Sequence, residues 1–306
     1  MLVQCRAVCH WNPVEVVLAS VGSRCRMMPA SAVSTAAYIT ARNARGHAHA
    51  PGIWSRDQIA AWKETTEAVH AKGSFISSQP VALGRAANPP QLLEEDSSLP
   101  YISASDGQLT GKDTVPRLLT IPEIKEYIEI SAQAAKNAIE TGFDGVEIHG
   151  ANGYLVHQFV HDDIEYRAQF VLEVVDAVVA AVGAEKTVIR FSPWNHFQVV
   201  LTPSVQTWRC ATPLPTFTYV VSQLAAHHPG LAYLHLVDPR ISNDPLCAPW
   251  APRPLLRAGG FTRNDALEAA ASGDLIAFVR WFTSNPDLPT RIEKDIPFAP
   301  YDRSTF

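Results

Sequence analysis

The sequence predicts an α/β fold of the (β/α)8 barrel class, and three observations lead there. From about residue 55 onward, short β-branched runs alternate with amphipathic stretches, the βαβα order of parallel strands joined by crossover helices. The runs are apolar at nearly every position, as strands covered on both faces must be. Their number reaches the eight that a closed barrel requires, and 306 residues is an ordinary length for one such barrel, read here as a single domain over 1–306.

The first two runs, Val14–Val21 and Ala32–Ile39, are the least regular. Only Gly22–Ser31 separates them, with Pro29 inside, whereas a parallel crossover needs a dozen or more residues. Either the first strand begins near Met1 or the first βα unit is incomplete. The remaining strands are expected at Ser74–Gln79, Gly145–His149, Val188–Phe191, Tyr233–Val237, Leu255–Ala258 and Ile276–Phe278. Between them, Ser55 and Asp57 start a helix over Gln58–Lys72 that Gly73 stops, and Ile121–Thr141 is a second helix closed by Gly142. The proline-rich stretches around Asn88–Pro90 and Pro245–Pro254 read as surface connections.

Composition narrows the function classes. With 47% hydrophobic and 18% charged residues, the chain buries a large core and is neither disordered, collagenous nor coiled-coil. Lys and Arg number 25 against 30 Asp and Glu, a net charge of −5, so there is no basic excess for nucleic acid or an anionic membrane. The five cysteines (Cys5, Cys9, Cys25, Cys210, Cys247) are odd in number and scattered, which argues against a disulfide framework or a zinc ribbon. Arg6 and His10 interrupt the apolar start, and no run approaches ~18 apolar residues. A soluble, cytoplasmic protein is expected.

The stretch GFDGVEIHGANGY (142–154) carries the chemistry. A buried strand ends at His149, and a glycine-rich turn with Asn152 and Tyr154 follows, at the strand end where parallel barrels place active sites. Alternation turns Glu147 and His149 to one face and Val146 and Ile148 to the other, and Gly150 and Gly153 let the turn bring Asn152 back towards His149. Two neutral donors then converge on one oxygen, polarise a carbonyl and stabilise an enolate, while the Tyr154 phenol delivers a proton to carbon. The plainer reading has His149 capping its strand and Tyr154 packing at a helix start.

These residues resemble the signature of the old yellow enzyme family, the FMN-dependent ene-reductases and NADPH dehydrogenases. Further segments resemble family landmarks in family order: APGIWS (50–55), IAAWK (59–63), VHAKG (69–73), Leu83–Arg85, Ser103–Ser105, Arg190–Trp194, Ala258–Gly260 and NPDLP (285–289). The resemblance covers residues 32–306 and is poor over 1–31. It implies that His149 and Asn152 grip the carbonyl oxygen of an α,β-unsaturated substrate, a small hydrophobic enone, and that Tyr154 protonates the α-carbon. Hydride comes from FMN recharged by NADPH or NADH. Gln79 and Arg190 are implied against the flavin ring, and Gly259, Gly260 and Arg280 at its phosphate. The resemblance also suggests a substrate from secondary metabolism, and a monomer or homodimer is expected.

Several positions depart from the family pattern. The Pro-Leu-Thr-Arg-like run of the opening strand has no counterpart in Met1–Arg6 or Ala19–Arg24. Pro80 and Val81 stand where Leu-Trp is usual, removing a backbone donor and an active-site aromatic. Val160–Arg167 is shorter by about ten residues, the length of a functional loop. Val279 replaces the glycine before Arg280, and its Cβ is expected to crowd a phosphate. Val199–Thr212 is longer, and the chain stops at Phe306, before a pocket-lining tyrosine of the family. These changes leave open a second class: a member without flavin, inactive or working as a cofactor-free isomerase or cyclase.

Metal sites are weaker readings. His157 and His161 share a helical face near Asp162 and Asp163, but no third ligand follows from spacing, and His47-Ala48-His49 sits in a Gly/Pro loop. No metal is expected.

Overall fold

The computed structural model describes residues 15–18, 32–40, 51–95, 100–109, 111–161, 164–194, 200–201, 214–237 and 245–302. Eight strands close into a barrel in which each is hydrogen-bonded to its neighbours in chain order: β1 (Glu15–Leu18), β2 (Ala32–Tyr38), β3 (Phe75–Val81), β4 (Gly145–Gly150), β5 (Thr187–Phe191), β6 (Tyr233–Val237), β7 (Leu255–Ala258) and β8 (Leu275–Phe278). Strands β2 to β8 run parallel.

The first unit is the exception. β1 is antiparallel to both neighbours, with Val16 opposite Val33 of β2 and Phe278 of β8. Residues 19–31 are barely the dozen that a crossover helix needs, and Gly22 and Pro29 oppose helix within them. Chain reversal therefore replaces a βα unit, and the chain enters β1 from the end at which β8 finishes.

Crossover helices follow the expected signals. Ser55 caps α1 (Arg56–His70) in a reciprocal box with Gln58, and Thr120 does the same with Glu123 for α2 (Ile121–Glu140), where Pro122 occupies the first turn. α3 (Ile164–Val182), α4 (Leu214–His227), α5 (Arg263–Ala271), α6 (Arg280–Ser284) and α7 (Leu288–Lys294) complete the layer. Thr262 and Asp265 form a third capping box on α5. The largest apolar cluster lies between strands and helices, joining Val146, Ile148 and Ile189 to Ala134, Val171, Val175, Phe217 and Leu224.

Two proline-rich stretches differ from expectation. Pro89–Glu95 is a short helix, because prolines are tolerated in a first turn that has no amide partners to lose. Cys247–Trp250 forms a helical turn whose Trp250 is fully buried and donates Nε1–H to Pro254 O (2.8 Å), so this connection is partly core. β3 also continues through Pro80 to Val81. The β3–β4 ladder pairs Ser77 with Gly145 and Ser78 with Val146, and Pro80 lies past those pairs.

Candidate active site

At the carboxyl ends of the parallel strands the barrel interior is polar, where barrels of this class usually hold layers of Val, Ile and Leu. Gln79 of β3, Glu147 and His149 of β4, and His235 of β6 are all buried there, with Arg190 of β5 half-buried beside them. The ladder sets His149 next to Arg190, and Arg190 next to His235. Glu147 accepts from Gln79 Nε2 (2.5 Å) and from His235 Nδ1 (2.8 Å). Burial pushes its carboxyl up. The charges of His235 and Arg190 and the hydrogen bonds from His235 and Gln79 outweigh that burial, and hold Glu147 ionised below the usual carboxylate range.

His149 is neutral. Burial and the Arg190 cation, with His157 and His235 adding to them, push its pKa well below 6.5 against the opposing pull of Glu147. Its Nδ1 accepts from the Ala151 amide (3.3 Å), which assigns the hydrogen to Nε2 and makes that atom a neutral donor. The turn after β4 then passes through the left-handed region at Asn152 (φ 57°) and Gly153 (φ 76°), conformations that Asn and Gly adopt most readily. Ser192, just beyond β5, accepts the Asn152 amide at 2.7 Å and so fixes that backbone. Tyr154 lies edge-on to His149, with ring centroids 4.7 Å apart at 71°.

A second set of residues locks the turn from behind. His157 Nδ1 accepts the Gly153 amide (2.8 Å). Buried Gln158 donates to Gly153 O (2.7 Å) and Leu83 O (3.0 Å), while its Oε1 accepts from Ser103 Oγ (2.9 Å) and the Arg85 amide (3.3 Å). Gly84 has φ 58°, and a Cβ there would stand 2.1 Å from Gln158 Oε1, so only glycine fits. Arg85, also buried, donates to Gly107 O (3.1 Å) and Ser105 Oγ (2.7 Å) and so ties the 103–107 segment to the Leu83–Ala86 turn.

Tyr154 packs against Tyr38, Val81, Leu83, Ala87 and Leu92, with Trp54 and Tyr101 alongside. Tyr38 stands directly opposite Val81 in the β2–β3 register, so an aromatic from the neighbouring strand borders the position where the sequence lacks one. Burial, and then the neighbouring Tyr154, push the Tyr38 phenol up, and it stays protonated at neutral pH.

The remaining predicted residues form a rim. Gly259 and Gly260 follow β7 and Arg280 follows β8, on adjacent strands paired at Ala258 and Ala277. Arg280 Nη1 donates to Tyr301 Oη (3.2 Å), and its guanidinium lies 5.6 Å from the centre of that ring. Two of the departures have a defined local geometry. Val279 has φ −110° and ψ −71°, which any residue adopts, and the left-handed position falls at Gly260 (φ 83°). Pro80 lines an apolar cavity with Ile39, Ala82, Ile148, His149 and Leu155, and as a proline it offers no backbone donor beside Gln79. The residues fit FMN: Arg190 suits the acceptor-rich edge of the ring, Gln79, whose NH2 is held by Glu147, has its amide oxygen left to accept from a ring N–H, and Arg280 with the two glycine amides suits the phosphate.

Sequence reasoning missed His235, Gln158, Ser192 and Tyr38. His235 carried a signal, a lone polar residue in a strand otherwise apolar and covered on both faces. Gly84 lies within the Leu83–Arg85 landmark, but nothing in the sequence joins it to Gln158, since the two meet only in the folded chain. His157 Nδ1 takes the Gly153 amide, and among the described residues no three His, Cys, Asp or Glu side chains group to hold a metal. Met1–Arg6, Ala19–Arg24, Cys5, Cys9, Cys25, His47, His49, Asp162, Asp163, Cys210 and most of 199–212 lie outside the described residues, and Val200–Leu201 pairs antiparallel with Gln108–Leu109. Among the described residues no helix is long and apolar enough to cross a membrane.

Comparison with known proteins identifies the family. Residues 4–298 match the model of the NADH:flavin oxidoreductase / NADH oxidase family. The chain is 44% identical to chanoclavine-I aldehyde reductase of Penicillium roqueforti (strain FM164), over 91% of this chain and 80% of that one. It is 38% identical to 12-oxophytodienoate reductase 1 of Oryza sativa subsp. japonica, over 86% and 73%. The old yellow enzyme from Pichia sp. AKU4542 superposes with a TM-score of 0.76 at 33% identity, covering 88% of this chain and 75% of that structure. The chain belongs to the NADH:flavin oxidoreductase / NADH oxidase family, and is an FMN-dependent NAD(P)H oxidoreductase of the old yellow enzyme type.

Proposed function

We propose that this enzyme reduces the activated C=C bond of a hydrophobic α,β-unsaturated carbonyl compound, with His149 and Asn152 as the oxyanion donors and Tyr154 as the proton donor. The observation that carries the reading is the neutral His149, with Nε2–H free of its Nδ1 contact, set edge-on to Tyr154 at the carboxyl end of β4. Bound FMN supplies the hydride equivalent, drawn from NADPH or NADH. His149 and Asn152 hold the carbonyl oxygen as negative charge gathers on it. Tyr154 gives its phenolic proton to the α-carbon and regains one from solvent. Gln79 and Arg190 hold the ring edge, and Gly259, Gly260 and Arg280 the phosphate.

The apolar cluster of Tyr38, Trp54, Val81, Leu83 and Tyr101 into which Tyr154 packs supports an apolar substrate. The likeness to a fungal chanoclavine-I aldehyde reductase supports a role in secondary metabolism. We place the activity in the cytoplasm, in a monomer or homodimer, in keeping with five scattered cysteines. The test is turnover of 2-cyclohexenone by FMN-loaded protein. His149→Ala and Asn152→Ala are each expected to slow turnover by roughly 10²–10³-fold. Tyr154→Phe is expected to leave flavin reduction by NADPH intact and to slow oxidation by the enone. Unchanged turnover in both alanine variants refutes the donor assignment, and a Tyr154→Phe defect in flavin reduction refutes the proton-donor role.

A further inference from the structure

Glu147 sits at the centre of the site, yet no proton or oxyanion step uses it. Its two oxygens are divided between strands on either side: Oε1 takes the Gln79 amide of β3, and Oε2 takes His235 Nδ1 of β6, reaching past β5. An ionised carboxylate only accepts hydrogen bonds. Gln79 must therefore turn its NH2 end to Glu147, and its carbonyl oxygen is directed elsewhere. Arg190, the fixed cation of the set, interacts electrostatically with both Glu147 and His149, so the negative charge of Glu147 offsets it within the barrel interior.

We infer that Glu147 is a positioning residue for the flavin ring, fixing which end of the Gln79 amide is offered to it and offsetting Arg190, and thereby setting the balance between oxidised and reduced FMN. The inference rests on the proposed placement of Gln79 and Arg190 against the ring. Its sign follows from charge. Without the carboxylate, the site gains one net positive charge in a low-dielectric interior, which favours the electron-rich reduced ring.

The experiment measures the midpoint potential of bound FMN against a reference dye, and the affinity for oxidised FMN by fluorescence quenching, in wild type, Glu147→Gln and Glu147→Asp. In Glu147→Gln, preference for reduced over oxidised FMN is expected to rise at least about tenfold, roughly 30 mV more positive for a two-electron couple. Glu147→Asp keeps the charge but withdraws it from Gln79. That variant is expected to bind oxidised FMN about fivefold or more weakly, with the reduced-to-oxidised preference within about twofold of wild type. A purely structural Glu147 lowers thermal stability and leaves the potential in place, which overturns the inference. Should Glu147→Gln not fold, the aspartate variant decides alone: wild-type affinity in it overturns the inference. A wild-type protein that takes up no FMN sinks the underlying flavin placement as well, whereas bound FMN with an unmoved potential sinks only the role of Glu147.

Discussion

Gly84 and Gln158 are 74 positions apart and meet at one point behind the catalytic turn, so their substitutions are expected to be strongly non-additive. Gln158→Ala removes a side chain making four hydrogen bonds, to Leu83 O, Gly153 O, Ser103 Oγ and the Arg85 amide. At about 1 kcal/mol net for each, the loss is about 3–4 kcal/mol. Gly84→Ala places a Cβ 2.1 Å from Gln158 Oε1 at φ 58°. It expels the glutamine, forfeiting the same bonds, and adds about 1–2 kcal/mol for a left-handed alanine, about 5 kcal/mol in all. In the double variant the glutamine is already gone and only the backbone term is added, again about 5 kcal/mol. Urea unfolding of the four proteins gives the cycle, with an expected coupling of about 3–4 kcal/mol. Simple additivity, with the double variant losing about 8 kcal/mol or more, would refute the reasoning that Gln158 fills the space a Cβ at residue 84 would need.

Further outcomes follow from the same geometry. Burial pushes His157 from 6.5 down to about 4, so the unfolded chain binds a proton in that window that the folded chain refuses. Stability from this group is complete above pH 6.5 and falls as pH drops towards 4, by about 3 kcal/mol in total, and urea midpoints of His157→Gln should show a shallower acid slope by about one proton. An identical slope in the variant contradicts the assignment. Tyr38→Leu removes the phenol opposite Val81 and is expected to shift the kcat/KM ratio about tenfold or more towards enones with bulkier β-substituents. A ratio equal to wild type removes Tyr38 from the pocket wall.

What was legible in the sequence was local. The alternation Val146-Glu147-Ile148-His149 and the glycines after it describe one strand and its turn, and both faces fall where period two puts them. Strand direction is another matter, since an apolar run such as Val16–Leu18 reads the same in either sense. Only the shortness of 19–31 hinted that β1 turns back. Pro89–Pro90 misled because proline marks a loop and a first helical turn equally well. Residues that meet across the barrel, such as Glu147 with His235 or Gly84 with Gln158, leave no spacing signal because topology alone joins them. Of the departures, Val279 and Pro80 look disabling in one dimension; in the fold Val279 keeps a right-handed backbone that any residue adopts, and β3 continues through Pro80.

The central claim is that the altered chain still holds a working flavin, and the visible absorption spectrum of the purified protein with added FMN tests it most directly. A protein-bound flavin band, bleached by NADPH and restored by 2-cyclohexenone, is the result expected. A folded protein that stays colourless through an FMN titration would contradict the account and leave His149, Asn152 and Tyr154 to a cofactor-free or inactive role.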